Sequence, residues 1–429
     1  MSGIEYRALH LCCDGVRLAD IVARCGTPTY VYSADAILAR FQSLDRALDE
    51  VPHTICYAVK TNSNLAVLGT LARAGSGFDI VSGGELHRLL RIGAAPERIV
   101  FAGVGKAREE MRAALGAGIG TFNVESLPEA ELLSRTAAEL GVTARVALRV
   151  NPDLEAGGHH YITTGTAAEK FGVPRSQAVA SFEHLSRLPG LDARGLHCHI
   201  GSQILDVEAH RQVARLLADL TRDLRGRGAT IDALNVGGGL GIRYRDERAP
   251  RAADFAAAVL PALRDLGVHL LVEPGRFLVG NAGVLLSRVL YRKDTDRKVF
   301  LIVDAGMNDL VRPTLYGAHH EILPLERRSG RPRQVVDVVG PLCESGDFLA
   351  RDRAVPRLEA GELLAIDSAG AYGFAMSSNY NTRPRAAEVL VRGGEFQVVR
   401  DRESLADLWR GERDWSPVGS PGAGSAERV

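Results

Sequence analysis

The sequence predicts an α/β architecture: a (β/α)8 barrel followed by a mostly antiparallel β domain. Three observations predict it. Apolar runs of strand length alternate with amphipathic helical stretches. Eight such βα units follow one another, the number that closes a parallel sheet into a barrel. Residues of unusual chemistry cluster at the C-terminal ends of the predicted strands, the face on which barrels build their sites. An open doubly wound sheet is the competing arrangement, but only the barrel gathers those strand ends at one mouth.

The elements are taken in chain order. Residues 1–30 are strand-like at 6–11 and 29–32 and are expected to join the β domain. The barrel, assigned to 31–276, opens with a strand at 54–60 and a helical stretch at 64–74. Strands at 77–82, 98–102, 119–124 and 144–150 follow, with helical patterns at 84–92 and 126–140. The sixth strand, 193–200, precedes a helical stretch at 207–224, and strands at 231–236 and 269–274 complete the set. From Phe277 the pattern changes to short β-rich segments at 284–291, 298–303, 334–339, 362–366 and 386–392, punctuated by turns. These, with residues 1–30, form the β domain, assigned to 1–30 and 277–415. The connection 151–172 is long for a βα loop and is expected to cover the mouth. The tail 416–429, rich in Gly, Ser and Pro, has too little apolar surface to offset its ordering entropy and is expected to be disordered.

Composition narrows the function. With 52 basic and 52 acidic residues the net charge is zero, which argues against nucleic acid or an anionic membrane as a partner. The basic run at 327–333 reads as a solvated loop. No apolar run is long enough to cross a bilayer, and residues 1–6 carry no secretory pattern. Six scattered cysteines without a disulfide spacing fit a reducing cytoplasm. His197-Cys198-His199 looks like a ligand cluster, yet on a strand the cysteine faces away from the two histidines, so no metal is expected.

The strand-end residues are Lys60, Asp79, Asn123 with Glu125, Asn151, His199, Gly237-Gly238-Gly239 and Glu273. Lys60 ends an apolar run and is either a solvated end-cap or a buried amine. Burial lowers an amine's pKa and frees it to attack a carbonyl. Gly237, Gly238 and Gly239 let backbone N–H groups approach an anion, in the region where barrels commonly bind phosphate; a flexible loop is the alternative. Arg276, after Glu273-Pro274-Gly275, and Ser202 are further donors for the same group. A phosphate site, a reactive lysine and a strand-end carboxylate at one mouth are the parts that pyridoxal 5'-phosphate requires.

These residues also carry a resemblance. Tyr57-Ala58-Val59-Lys60, the segments 197–203 and 237–241, Glu273-Pro274-Gly275-Arg276 and Cys343-Glu344-Ser345-Gly346-Asp347 closely resemble the motifs of the diaminopimelate decarboxylases. That family, the lysine-forming branch of the fold-type III pyridoxal-phosphate decarboxylases, joins a barrel to a β domain, and the resemblance runs from about residue 6 to 400. It implies that Lys60 carries the cofactor covalently, that His199 stacks on its ring and that Glu273 pairs with the pyridine nitrogen. A racemase of this fold class places arginine there, so Glu273 favours decarboxylation. The remaining implied cofactor contacts are Asp79, Ser202, the three glycines, Gly275, Arg276 and Tyr372. Cys343 matches the family's proton donor, which arrives from the partner subunit of a homodimer. Arg276, Arg312, Tyr316, Glu344 and Tyr372 are the implied substrate contacts: arginines for a distal carboxylate and Glu344 for the ammonium. Arg312 and Tyr316 share a face if they lie on a helical turn. The rival readings are a decarboxylase of ornithine, arginine or carboxynorspermidine, and a non-catalytic carrier of the cofactor.

Overall fold

The computed structural model describes residues 3–154 and 170–415. Most of the long connection, including His159-His160, and the 416–429 tail lie outside the described residues. Eight parallel strands form a closed ring: β1 (His53–Ala58), β2 (Gly77–Ile80), β3 (Ile99–Phe101), β4 (Thr121–Val124), β5 (Ala144–Asn151), β6 (Leu191–His197), β7 (Ala233–Asn235) and β8 (His269–Val272). Closure comes from β8 pairing with β1 (Leu271 opposite Thr54) and β4 pairing with β5 (Asn123 opposite Ala147). All eight expected strands are present, and the open-sheet alternative is excluded.

Local chemistry sets the helix ends. Ser82 and Ser126 cap the helices Gly83–Arg91 and Leu127–Leu140, their hydroxyls accepting the N–H groups of Glu85 and Glu129. Gly118 and Gly141 end two helices in the left-handed conformation that glycine adopts without a Cβ clash. The strands bury Phe78, Phe101, Phe122, Leu148, Leu196, Leu234 and Leu270 on the face opposite to Asp79, Asn123, His197 and Asn235, in the core between the barrel and its helices.

The second domain is a mostly antiparallel sheet. Its central strand, Gly283–Asp294, pairs with Thr29–Ser33, with Val299–Val303 and with Leu363–Ile366. Thr29–Ser33 and Val299–Val303 each pair in parallel with a further strand, Ala387–Arg392 and Arg333–Val339 respectively. The central strand alternates strictly: Leu285 joins the core continuous with the barrel, whereas Val284 and Leu286 face a second core built with Leu11, Leu18 and Ile21. Three details differ from the sequence reading. Leu18–Cys25 is a helix, Phe348–Pro356 and Glu395–Arg400 are additional strands, and a short helix at Arg276–Val279 precedes the β segments. Among the described residues, no helix is long and apolar enough to cross a membrane.

Candidate active site

The first strand does not run to Lys60. It stops at Ala58, and Val59–Thr61 form a short 3-10 turn that brings Lys60 over the barrel mouth. Its Nζ donates to Asp79 Oδ2 at 2.6 Å, at the end of the neighbouring strand β2. Burial works against the charge on Lys60, but the carboxylates of Asp79 and Glu273 outweigh it and hold the amine above the usual lysine range. The expectation of a lowered lysine pKa is thereby corrected: desolvation alone was weighed, and the adjacent strand end supplies a counter-ion. Asp79 itself is pushed up to about 6, by burial foremost.

Glu273 follows the last residue of β8, deep in the mouth. Its Oε1 accepts N–H bonds from Asn235 (2.7 Å) and Asn123 (3.1 Å), and its Oε2 lies 3.3 Å from His197 Nε2. Burial would raise this carboxyl, yet His197, Lys60 and His199 outweigh it and keep Glu273 ionised well below the usual range. His199 stands on the other side of the cavity with its Nδ1 accepting the Gly238 N–H at 3.1 Å. Burial and Arg149 hold its pKa far below normal, so the ring is neutral.

The glycine run is only partly available to a ligand. The Gly237 N–H donates to Asn235 Oδ1 and the Gly238 N–H to His199 Nδ1. A Cβ at Gly238 would stand 2.0 Å from the Glu273 carbonyl, so glycine there serves close strand packing. Of the three, Gly239 lines the cavity, together with Lys60, His199, Ser202, Glu273, Gly275, Arg276 and Tyr372. Arg276 is 5% exposed; its Nη2 donates to Ser202 Oγ at 2.9 Å and its Nη1 to the Tyr244 hydroxyl at 2.6 Å. Tyr372 reaches the mouth from the second domain because its N–H donates to Thr61 O (2.8 Å) and Asn62 Nδ2 donates to Gly370 O (3.2 Å). Its φ of +56° is a conformation a tyrosine rarely adopts, held here by those latches.

Arg312 and Tyr316 do begin and end one helical turn. Arg312 is 5% exposed, sits 4.8 Å over the Tyr244 ring and donates from Nη1 to His320 Nε2 at 3.0 Å. Neither Arg312 nor Arg276 has a carboxylate within ion-pair distance among the described residues, whereas buried Arg149 is paired with Glu125 at 2.7 Å. Cys343 and Glu344 are exposed on the second domain and line no part of the Lys60 cavity. The Cys343 N–H donates to Asn381 Oδ1, and the loop folds around Asp347, which accepts the N–H groups of Met307 and Leu342. Among the described residues no cluster could hold a metal ion.

Sequence reasoning missed four contributors. His197 was weighed only as a metal ligand, and Asn235, Tyr244 and His320 were not singled out. Asn235 had a usable signal, since it ends a strand two residues before the glycine run.

Residues 34–280 match the family of the pyridoxal-dependent decarboxylases, in its pyridoxal binding domain, and this is the class that barrel and cavity define. The chain is 51% identical over 412 residues to the diaminopimelate decarboxylase of Pseudomonas aeruginosa, covering 96% of this chain and 99% of that relative. Its fold is similar to the diaminopimelate decarboxylase of Helicobacter pylori complexed with L-lysine, with TM-score 0.89, 40% identity, and 92% and 98% of the two chains covered. The enzyme of M. jannaschii in co-complex with L-lysine gives TM-score 0.90 at 36% identity, covering 95% and 98%. The chain belongs to the diaminopimelate decarboxylase family.

Proposed function

We propose that this chain is a pyridoxal-phosphate-dependent decarboxylase that converts meso-2,6-diaminopimelate to L-lysine and CO2, the last step of lysine biosynthesis, in the cytoplasm. The observation that carries the reading is the pair of buried guanidiniums, Arg276 and Arg312, without carboxylate partners and packed on one tyrosine ring. A buried cation is costly unless an anion meets it. Two such cations suit two anionic groups, a cofactor phosphate and a substrate carboxylate remote from the reacting carbon. Ornithine, arginine and carboxynorspermidine carry no amino acid group at that far end, so the second receptor favours diaminopimelate over them.

The residues present fit the cofactor. Lys60 offers the amine, Glu273 an ionised carboxylate for the pyridine nitrogen, and Arg276, Ser202 and Gly239 a receptor for phosphate; Tyr372 and Gly275 close that corner. Pyridoxal phosphate, when bound, supplies an electron sink for the pair left at the α-carbon when CO2 departs. Glu273 holds a proton at the ring nitrogen, fixed in place by Asn123, Asn235 and His197. His199, neutral in this cavity, would stand beside the cofactor ring and add no charge there. Asp79 orients the Lys60 amine. Arg312 and Tyr316 receive the distal carboxylate, and Glu344 the distal ammonium. The thiol of Cys343 returns a proton to the α-carbon.

Cys343 and Glu344 lie on the surface and outside their own chain's cavity, which supports a homodimer in which the partner subunit delivers both. The test of the whole reading is a panel. Purified protein with pyridoxal phosphate is given diaminopimelate, lysine, ornithine and arginine while CO2 is measured. Release from diaminopimelate well above the others is expected. Faster turnover of ornithine or arginine would overturn the substrate assignment, and no CO2 from any of them would favour a carrier.

A further inference from the structure

Tyr244 and His320 form the platform on which both arginines rest, and the roles assigned so far leave them unused. Tyr244 accepts from Arg276 Nη1 at 2.6 Å, lies 4.8 Å beneath the Arg312 guanidinium and meets His320 edge-on, with ring centroids 5.5 Å apart at 77°. His320 is fully buried. Its Nδ1 lies 2.8 Å from the Asp367 carbonyl oxygen, which can only accept, so Nδ1 carries the ring proton. Its Nε2 is then a lone-pair acceptor facing Arg312 Nη1 at 3.0 Å. Burial, reinforced by Arg312, pushes the imidazole down to about 3, which keeps it neutral.

The choice of a neutral acceptor has a physical consequence. A carboxylate at this place would orient Arg312 equally well, but it would cancel the charge and compete with any incoming anion. A neutral imidazole fixes the fork and leaves the full positive charge for the ligand. The face of Tyr244 adds the same kind of support, attracting the guanidinium without neutralising it. Asp367 also begins the segment that carries Tyr372 to the mouth, so the anchor is tied to the rest of the cavity.

We infer that His320, backed by Tyr244, is a positioning residue that sets specificity for the distal carboxylate by holding Arg312 in one orientation without cancelling its charge. The inference rests on the functional reading above, in which Arg312 receives that carboxylate. L-lysine, the product, keeps the carboxylate at the non-reacting end, and cadaverine lacks it. Equilibrium binding of the two to the holoenzyme, followed by cofactor absorbance, therefore isolates the receptor without turnover. The wild type is expected to bind L-lysine at least about tenfold more tightly than cadaverine. His320→Leu should lose about tenfold in L-lysine affinity and leave cadaverine within about twofold. The nearly isosteric pair His320→Gln and His320→Glu decides the matter even if the leucine variant fails to fold. Glutamine keeps a neutral acceptor and should retain most of the preference, whereas glutamate should abolish it. Equal weakening of both ligands in His320→Leu, or equal behaviour of the Gln and Glu variants, would overturn the inference alone. A wild type that does not prefer L-lysine would overturn the functional reading and this inference with it.

Discussion

Glu273→Gln is the most informative single change at the centre of the site, because it removes a charge and almost nothing else. The glutamine oxygen can take over the bonds from Asn235 (2.7 Å) and Asn123 (3.1 Å), so the side chain should keep its place. What changes is the other terminal atom, an anionic oxygen 3.3 Å from His197 that becomes an N–H donor. Burial works against this anion, and His197, Lys60 and His199 sustain it; the structure thus invests several groups in keeping one carboxylate ionised. A charge-assisted hydrogen bond contributes about 1.5–3 kcal/mol, which corresponds to a loss of roughly tenfold to somewhat over a hundredfold in kcat. The phosphate corner is untouched, so cofactor content should stay near that of the wild type. The assay is CO2 release under saturating diaminopimelate, with bound cofactor quantified on the same preparation. A variant with full cofactor and kcat within twofold of the wild type would refute the role given to Glu273.

Three further outcomes are expected. Borohydride reduction of the holoenzyme followed by peptide mass spectrometry should place the pyridoxyl group on Lys60, and its discovery on another lysine would remove the assignment. Lys60→Ala and Cys343→Ala, each nearly inactive, should recover part of their activity when mixed under conditions that exchange subunits; no recovery in proven heterodimers would put both residues in one chain. Asp309, buried and pushed up to about 7 chiefly by desolvation, keeps its proton in the native state where an unfolded aspartate, with a pKa of about 3.9, has lost it. The native state then binds more protons across that window, so stability is fullest below about pH 4 and is lost as pH rises through about 7. The Tm of the wild type should fall more between pH 5 and pH 8 than that of Asp309→Asn, which keeps an acceptor for the Gly306 N–H; parallel slopes would show that Asp309 contributes nothing to the trend.

The barrel was legible because its signals are local. A strand buried between helices and a filled interior must be an apolar run, and the eight runs stand out against amphipathic helices. Strand Phe348–Pro356 escaped because its middle, Arg351-Asp352-Arg353, is charged and largely solvent-facing, which hides the run from a search for apolar segments. The end of β1 was misplaced for the opposite reason. Val59 continues the apolar pattern, but it belongs to the 3-10 turn that presents Lys60. That turn is held partly by Tyr372, whose N–H reaches Thr61 O from more than three hundred residues away, and no local pattern encodes such a latch.

Electrostatics was the least legible layer, and it is the one on which the functional reading depends most. The chain as a whole is neutral, with equal numbers of acidic and basic residues. Composition therefore predicts no attraction for anions. Within the site, however, the two carboxylates are committed: Asp79 to Lys60, and Glu273 to two asparagine amides and His197. Arg276 and Arg312 are held instead by a phenol, a hydroxyl and a neutral imidazole. The surplus positive charge is thus local and divided between two points, one on the Lys60 cavity and one beyond Tyr244. A ligand that satisfies both must carry anions at two separated places, which a phosphate-bearing cofactor joined to a substrate with a remote carboxylate does and a simple diamine precursor does not.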